Sequence, residues 1–223
     1  GLSEMLARAG LVEDRFLEEA WQIAEGLRQD PNQSLAAVVA AYRRVLDRDA
    51  IHDGAIQAIQ GVASTWKEDI DRAIEIDDLA LADAKLTESL NVFPKDAELS
   101  VLFERLSDRR RADVLLQSTQ ALLASRSMSH EPSATAAMQA YQEVLQLHPG
   151  NDEAEAQLDM IANFYTALAE AAVVEGNLSE AMENLGRAVT ANPNFGSIEK
   201  ARTKINQFAL LQAEIDGMLS EAS

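Results

Sequence analysis

The stretch Tyr165–Pro193, YTALAEAAVVEGNLSEAMENLGRAVTANP, decides the architecture once it is laid against Trp66–Pro94, WKEDIDRAIEIDDLALADAKLTESLNVFP. At this offset of 99 residues (165 − 66), Ala73 meets Ala172, Leu79 meets Leu178, Ala82 meets Ala181, Leu86 meets Leu185 and Pro94 meets Pro193. Upstream, the same offset sets Tyr42 on Tyr141, Val45-Leu46 on Val144-Leu145, Asp53 on Asp152, Ala55 on Ala154 and Ala63 on Ala162. The matched residues are apolar, small or helix-ending, so the duplicated property is packing rather than chemistry. A chain that repeats a packing unit predicts a solenoid that works through an extended surface.

Composition agrees with an all-helical chain. Across 223 residues there are only 10 Gly and 5 Pro, too few for the many turns of a β fold. The hydrophobic fraction is 47%, enough for a folded core, with aromatics at 5%. Net charge is −18, from 37 acidic and 19 basic side chains, which repels phosphate backbones and favours basic partners. The basic run Arg109-Arg110-Arg111 follows Glu104 and Asp108 and reads as a solvated helix face. With no cysteine, disulfides, thiolate catalysis and cysteine-ligated zinc are excluded. The longest apolar run, Leu35–Tyr42, falls short of the ~20 residues that span a bilayer.

Hydrophobic spacing then predicts about nine helices, short ones alternating with long ones. Phe16, Leu17, Ala20, Ile23, Ala24 and Leu27 form a stripe that stops at Asp30-Pro31-Asn32. Further helices are expected through Leu35–Leu46, from Asp53 past Trp66 to Ile76, and from Leu79 to Leu90. Asp96, with Glu98 just inside, is expected to cap a long helix through Leu122-Leu123. Ser125–Ser133 is the most loop-like stretch, followed by helices through Tyr141, from Asp152 to Glu175, and from Leu178 to Val189. Residues 195–222 complete the set as a capping helix.

Tyr165–Pro193 resembles a tetratricopeptide repeat. Tyr165 stands at the family's large aromatic place, Leu168-Ala169 at its Leu-Gly place and Gly176 at its turn, with Ala181, Leu185, Ala188 and Pro193 following in order. The first copy keeps Trp66, Ala73, Ala82, Leu86 and Pro94 but departs at Asp69, Ile70, Asp77 and Ser89. Ala137, Tyr141 and Pro149 mark a third, looser match. The resemblance implies one right-handed helical-repeat domain of antiparallel helices over residues 1–223, duplicated as roughly 12–110 and 111–209. It also implies a core role for Trp66 and Tyr165. In the family, exposed positions on the first helix of each hairpin grip a peptide. Carried over, these are Ser64, Lys67 and Asp71, and Asn163, Thr166 and Glu170.

No catalytic, cofactor or metal site is legible. His52, His130 and His148 flank helix ends without a second ligand at metal spacing, and the Asp69–Asp78 cluster lacks the glycine and terminal Glu of a calcium loop. The expectation is therefore a non-enzymatic protein-interaction module, acting on a protein or peptide of basic character and not on nucleic acid or membrane. The alternative is a structural spacer or a homodimer formed through Leu210, Leu211, Ile215 and Leu219. A start at Gly1 and an end within a helical pattern suggest a piece of a longer, bacterial protein, with periplasm or cell envelope favoured over cytoplasm.

Overall fold

The computed structural model describes residues 2–30, 32–126 and 131–221. Among these the chain is all-helical: α1 (Leu2–Gln29), α2 (Leu35–Leu46), α3 (Asp53–Glu75), α4 (Leu79–Val92), α5 (Ala97–Arg126), α6 (Glu131–Leu147), α7 (Asp152–Val174), α8 (Leu178–Ala191) and α9 (Ile198–Glu221). The chain divides into two compact units, Gly1–Ser107 and Asp108–Ser223. Among the described residues, no helix is long and apolar enough to cross a membrane.

Helix boundaries repeat at the offset read from the sequence. Asp53–Glu75 and Asp152–Val174 coincide after a shift of 99 residues (152 − 53), as do Leu79–Val92 and Leu178–Ala191. Different side chains perform the same capping at equivalent places. His52 Nδ1 accepts the Ala55 amide at 3.1 Å, and Asn151 Oδ1 accepts that of Ala154 at 2.9 Å. Asp78 and Asn177 cap the next helix by accepting the Leu81 and Glu180 amides, each at 3.1 Å. Asp96 caps α5 as expected, accepting the Glu98 and Leu99 amides at 2.9 and 3.1 Å.

The tight turn between α3 and α4 also matches the one between α7 and α8. Asp77 has φ 60° and Gly176 has φ 79°. The following amide closes back five residues in both, Asp78 to the Ala73 carbonyl at 2.9 Å and Asn177 to that of Ala172 at 2.8 Å. This is a left-handed helix cap, which satisfies carbonyls left free at the helix end. The departure at Asp77 changes the residue and keeps the geometry.

In the first unit, Ala24, Val38, Ala41, Tyr42, Val45 and Ala55 join α1 and α2 to the start of α3. A second cluster joins α3, α4 and the first part of α5 through Ile70, Ala73, Ile74, Ala82, Leu86, Leu99 and Leu106. The second unit has one continuous core running from Ala112 through Tyr141 and Tyr165 to Ile205. Its fully buried alanines, Ala162, Ala169, Ala181 and Ala188, allow close approach of helices, and larger neighbours fill the remaining space.

Four expectations are corrected. α1 begins at Leu2, well before the stripe at Phe16, because the apolar spacing of three and four extends back through Val12, Ala9 and Met5. Helix also enters Ser125–Ser133 from both sides, since α5 reaches Arg126 and α6 starts at Glu131. Pro132 falls in the first turn of α6, where its missing N–H costs no helical hydrogen bond. Residues 127–130, with His130, lie outside the described residues, as does Pro31. α9 starts at Ile198, after a turn at Asn192–Phe195. Finally, Tyr165 is fully buried, but Trp66 is only half-buried.

Candidate functional site: an ion-paired helix face

Ser64, Lys67 and Asp71 recur at spacings of three and four along α3, which places them on one face. Ser64 is exposed and its hydroxyl lies 3.5 Å from Glu68 Oε1 on its own helix. Lys67 reaches to α5, with Nζ 2.6 Å from Asp96 Oδ2 and 2.6 Å from Glu98 Oε2. Asp71 is ion-paired with Arg105 of α5, whose guanidinium also lies 3.9 Å from Glu75 Oε1. Two of the three residues therefore tie the first helix of one hairpin to the helix that follows it.

In the second unit Glu170 does the same: Lys204 Nζ of α9 donates to its Oε1 at 2.8 Å. Asn163 is exposed on α7. Thr166 was expected on the exposed face and is instead buried, at 4% exposure. Its short hydroxyl donates to the Ala162 carbonyl one turn back at 2.7 Å, so it can be buried without an orphaned polar group. Lys67, the residue at the equivalent place in the first copy, is too long for that local bond and reaches out to α5 instead.

Two of these ties are one device used twice. Asp71 and Arg105 are 34 residues apart, as are Glu170 and Lys204. The acid sits on the hairpin's first helix and the base on the next. At side-chain exposures of 45% and 39% in one pair, and 44% and 36% in the other, each contributes about 0–1 kcal/mol. They orient neighbouring helices more than they stabilise them, and their half-exposed charges remain able to meet a partner.

Lys67 and Asp96 are more enclosed. Burial pushes the Asp96 carboxyl up, but the Lys67 ammonium and the Leu99 and Glu98 amides outweigh it and hold the group below its ordinary range. Burial likewise pulls Lys67 down, and the Asp96 and Glu98 carboxylates more than reverse this, holding it above its ordinary range.

The other charged candidates also have structural partners. Asp69 Oδ2 lies 2.6 Å from Lys85 Nζ, and Arg111 is paired with Glu143. His52 is occupied as a helix cap, and His148 Nδ1 is 3.1 Å from Asn151 Nδ2. Among the described residues, no group of three or more His, Asp or Glu side chains could hold a metal ion. The face offers fixed charge held by ion pairs between helices.

Sequence reasoning passed over Arg105 and Lys204, and read Asp96 and Glu98 only as a helix start and not as partners of Lys67. A signal was present, since acid and base recur 34 residues apart in both copies, but reading it requires knowing which helix faces meet. It also passed over a cleft beside Trp66, about 390 Å³ in volume. No family model matches the chain, and neither a curated protein nor a solved structure matches it.

Proposed function

We propose that this chain is a non-enzymatic protein-binding module, a tetratricopeptide-like array of helical hairpins that offers the α3 and α7 faces to a partner. The observation that carries the reading is the recurrence of the 34-residue acid–base tie, Asp71 to Arg105 and Glu170 to Lys204, on hairpins with matching boundaries and turns. Besides orienting neighbouring helices, these pairs place half-exposed charge on both hairpins, where a partner can meet it. With a net charge of −18 the preferred partner is a basic or mixed-charge protein segment, drawn in by long-range attraction.

The test uses pair-swapped protein: Asp71→Arg with Arg105→Asp, and Glu170→Lys with Lys204→Glu. This keeps the net charge and the helix ties while inverting the local pattern. Both forms are immobilised, exposed to an extract of the source cells and eluted with rising salt. The reading expects a partner held by the native form, released at moderate salt and lost from the swapped form. The same proteins retained by both forms would refute it.

One observation favours self-association as a second reading. Phe208, Leu211, Ile215 and Met218 recur at three- and four-residue spacing along α9, the seam of a paired helix, and the last three are 58%, 51% and 58% exposed. The occupant would be α9 of a second copy. Sedimentation at rising concentration should then show a dimer that Ile215→Lys dissolves, whereas a strict monomer throughout would remove this reading.

A further inference from the structure

The cleft beside Trp66 exists because of two small residues. Val38, Val62 and Trp66 line it together with Gly61 and Thr65 of α3. At the equivalent places in the second copy stand Met160 and Phe164. There the Phe164 ring packs edge-on against Tyr165, with centroids 5.3 Å apart and planes at 62°, and Tyr165 is fully buried. The first copy keeps the large aromatic but not the side chains beside it. The space at Gly61 is open: a Cβ added there meets nothing within 4 Å.

The polar groups around the cleft say what does not belong in it. Lys85 lies over the Trp66 ring, 4.6 Å from its centroid, and is already paired with Asp69 at 2.6 Å. Arg28 is paired with Glu25 at 2.8 Å, and Asp30 accepts the Gln33 amide and the Asn32 N–H, each at 2.9 Å. An entering ion would find each counter-charge engaged and would lose hydration without compensation. The Gln57 carboxamide both donates and accepts, and the Thr65 hydroxyl, donating to the Gly61 carbonyl at 3.1 Å, keeps its lone pairs for accepting. Such groups suit the alternating donors and acceptors of a peptide backbone.

We propose that this cleft receives one uncharged aromatic side chain, a Phe, from an extended segment of another protein. The guest side chain takes beside Trp66 the place that Phe164 takes beside Tyr165. The second copy supplies the template, since the phenyl ring of the half-buried Phe164 packs beside Tyr165 at the place equivalent to Thr65. The site is separate from the ion-paired face and does not depend on it.

Amide NMR of the whole chain, titrated with the blocked residue N-acetylphenylalaninamide, tests this. Trp21→Phe assigns the remaining indole signal to Trp66. The expected result is saturable shifts at the Trp66 indole and the Gly61 and Thr65 amides. Binding of N-acetylalaninamide and of blocked glutamate should be weaker by about tenfold or more, as loss of a buried apolar group implies. Gly61→Met with Thr65→Phe should abolish the shifts and leave thermal unfolding unchanged or raised. Should that double variant fail to fold, Gly61→Met alone, placed where there is open space, should abolish them as well. Absence of saturable shifts, equal response to the alanine and glutamate probes, or shifts that persist in the filled variant would each overturn the proposal. Loss of the ion-paired face would leave this result untouched, so the two surfaces are separable.

Discussion

Asp77 and Gly176 hold the same left-handed backbone in equivalent turns, with φ of 60° and 79°. Gly176, which has no Cβ, adopts that conformation freely, whereas at Asp77 the Cβ is crowded against the backbone. Asp77→Gly should therefore stabilise the first unit by about 0.5–1 kcal/mol, and Gly176→Ala should destabilise the second by about 1 kcal/mol. The nearest atom to a Cβ at Gly176 is Phe208 Cζ at 4.0 Å, so the cost is in the backbone and not in a clash. Urea midpoints of the two variants, moving in opposite directions, check this.

Tyr42 and Tyr141 are both fully buried, but their hydroxyls differ. Tyr42 donates to Glu25 Oε1 at 2.5 Å, while the Tyr141 hydroxyl is without a partner among the described residues. The residue at the place of Glu25 in the second copy is Ala124. Tyr42→Phe should cost about 1.5–3 kcal/mol, the range for a bond to a charged group, and Tyr141→Phe should be neutral or stabilising. Equal losses in denaturant titrations would contradict this difference in bonding.

The Lys67–Asp96 pair predicts a stability plateau with two edges. Asp96 is held below its ordinary range, so its contribution is complete above about pH 4 and is lost as pH falls through the folded value. Lys67 is held above its ordinary range, so its contribution is complete below about pH 10 and is lost as pH rises through the folded value. Lys67→Met should lower stability by about 1 kcal/mol at neutral pH and by less near pH 3. A constant difference across that range would show that the pairing contributes nothing.

The two 34-residue ties should be energetically alike. Double-mutant cycles to alanine on Asp71 with Arg105, and on Glu170 with Lys204, should each give a coupling of about 0.5 kcal/mol that salt diminishes. A coupling of several kcal/mol, insensitive to salt, would mean that these pairs are enclosed rather than half-exposed.

Helix boundaries and the alanine contacts were legible because packing repeats leave residue-by-residue matches such as Ala82 with Ala181. The break after Ile76 was legible as well, but the left-handed backbone at Asp77 was not, since aspartate serves as readily for a cap as for a left-handed residue. Trp66 read as core because it stands in register with Tyr165 at the family's large aromatic place, and only comparison of Thr65 with Phe164 shows what is missing beside it. Thr166 read as exposed because a hydroxyl that satisfies itself on the preceding turn has no sequence mark. The candidate face was found through Lys67, Asp71 and Glu170, but their bonding partners lie on other helices, beyond the reach of periodicity.

The proposed binding face is tested most directly by site-specific photocrosslinking. Because the chain has no cysteine, Ser64→Cys and Asn163→Cys each provide a single labelling point on that face without disturbing an ion pair between helices. Thr87→Cys and Met182→Cys, at exposed positions on α4 and α8, serve as controls. The account predicts partner adducts from labels at 64 and 163 and none from 87 and 182. Adducts from the controls alone, or equally from all four sites, would contradict it.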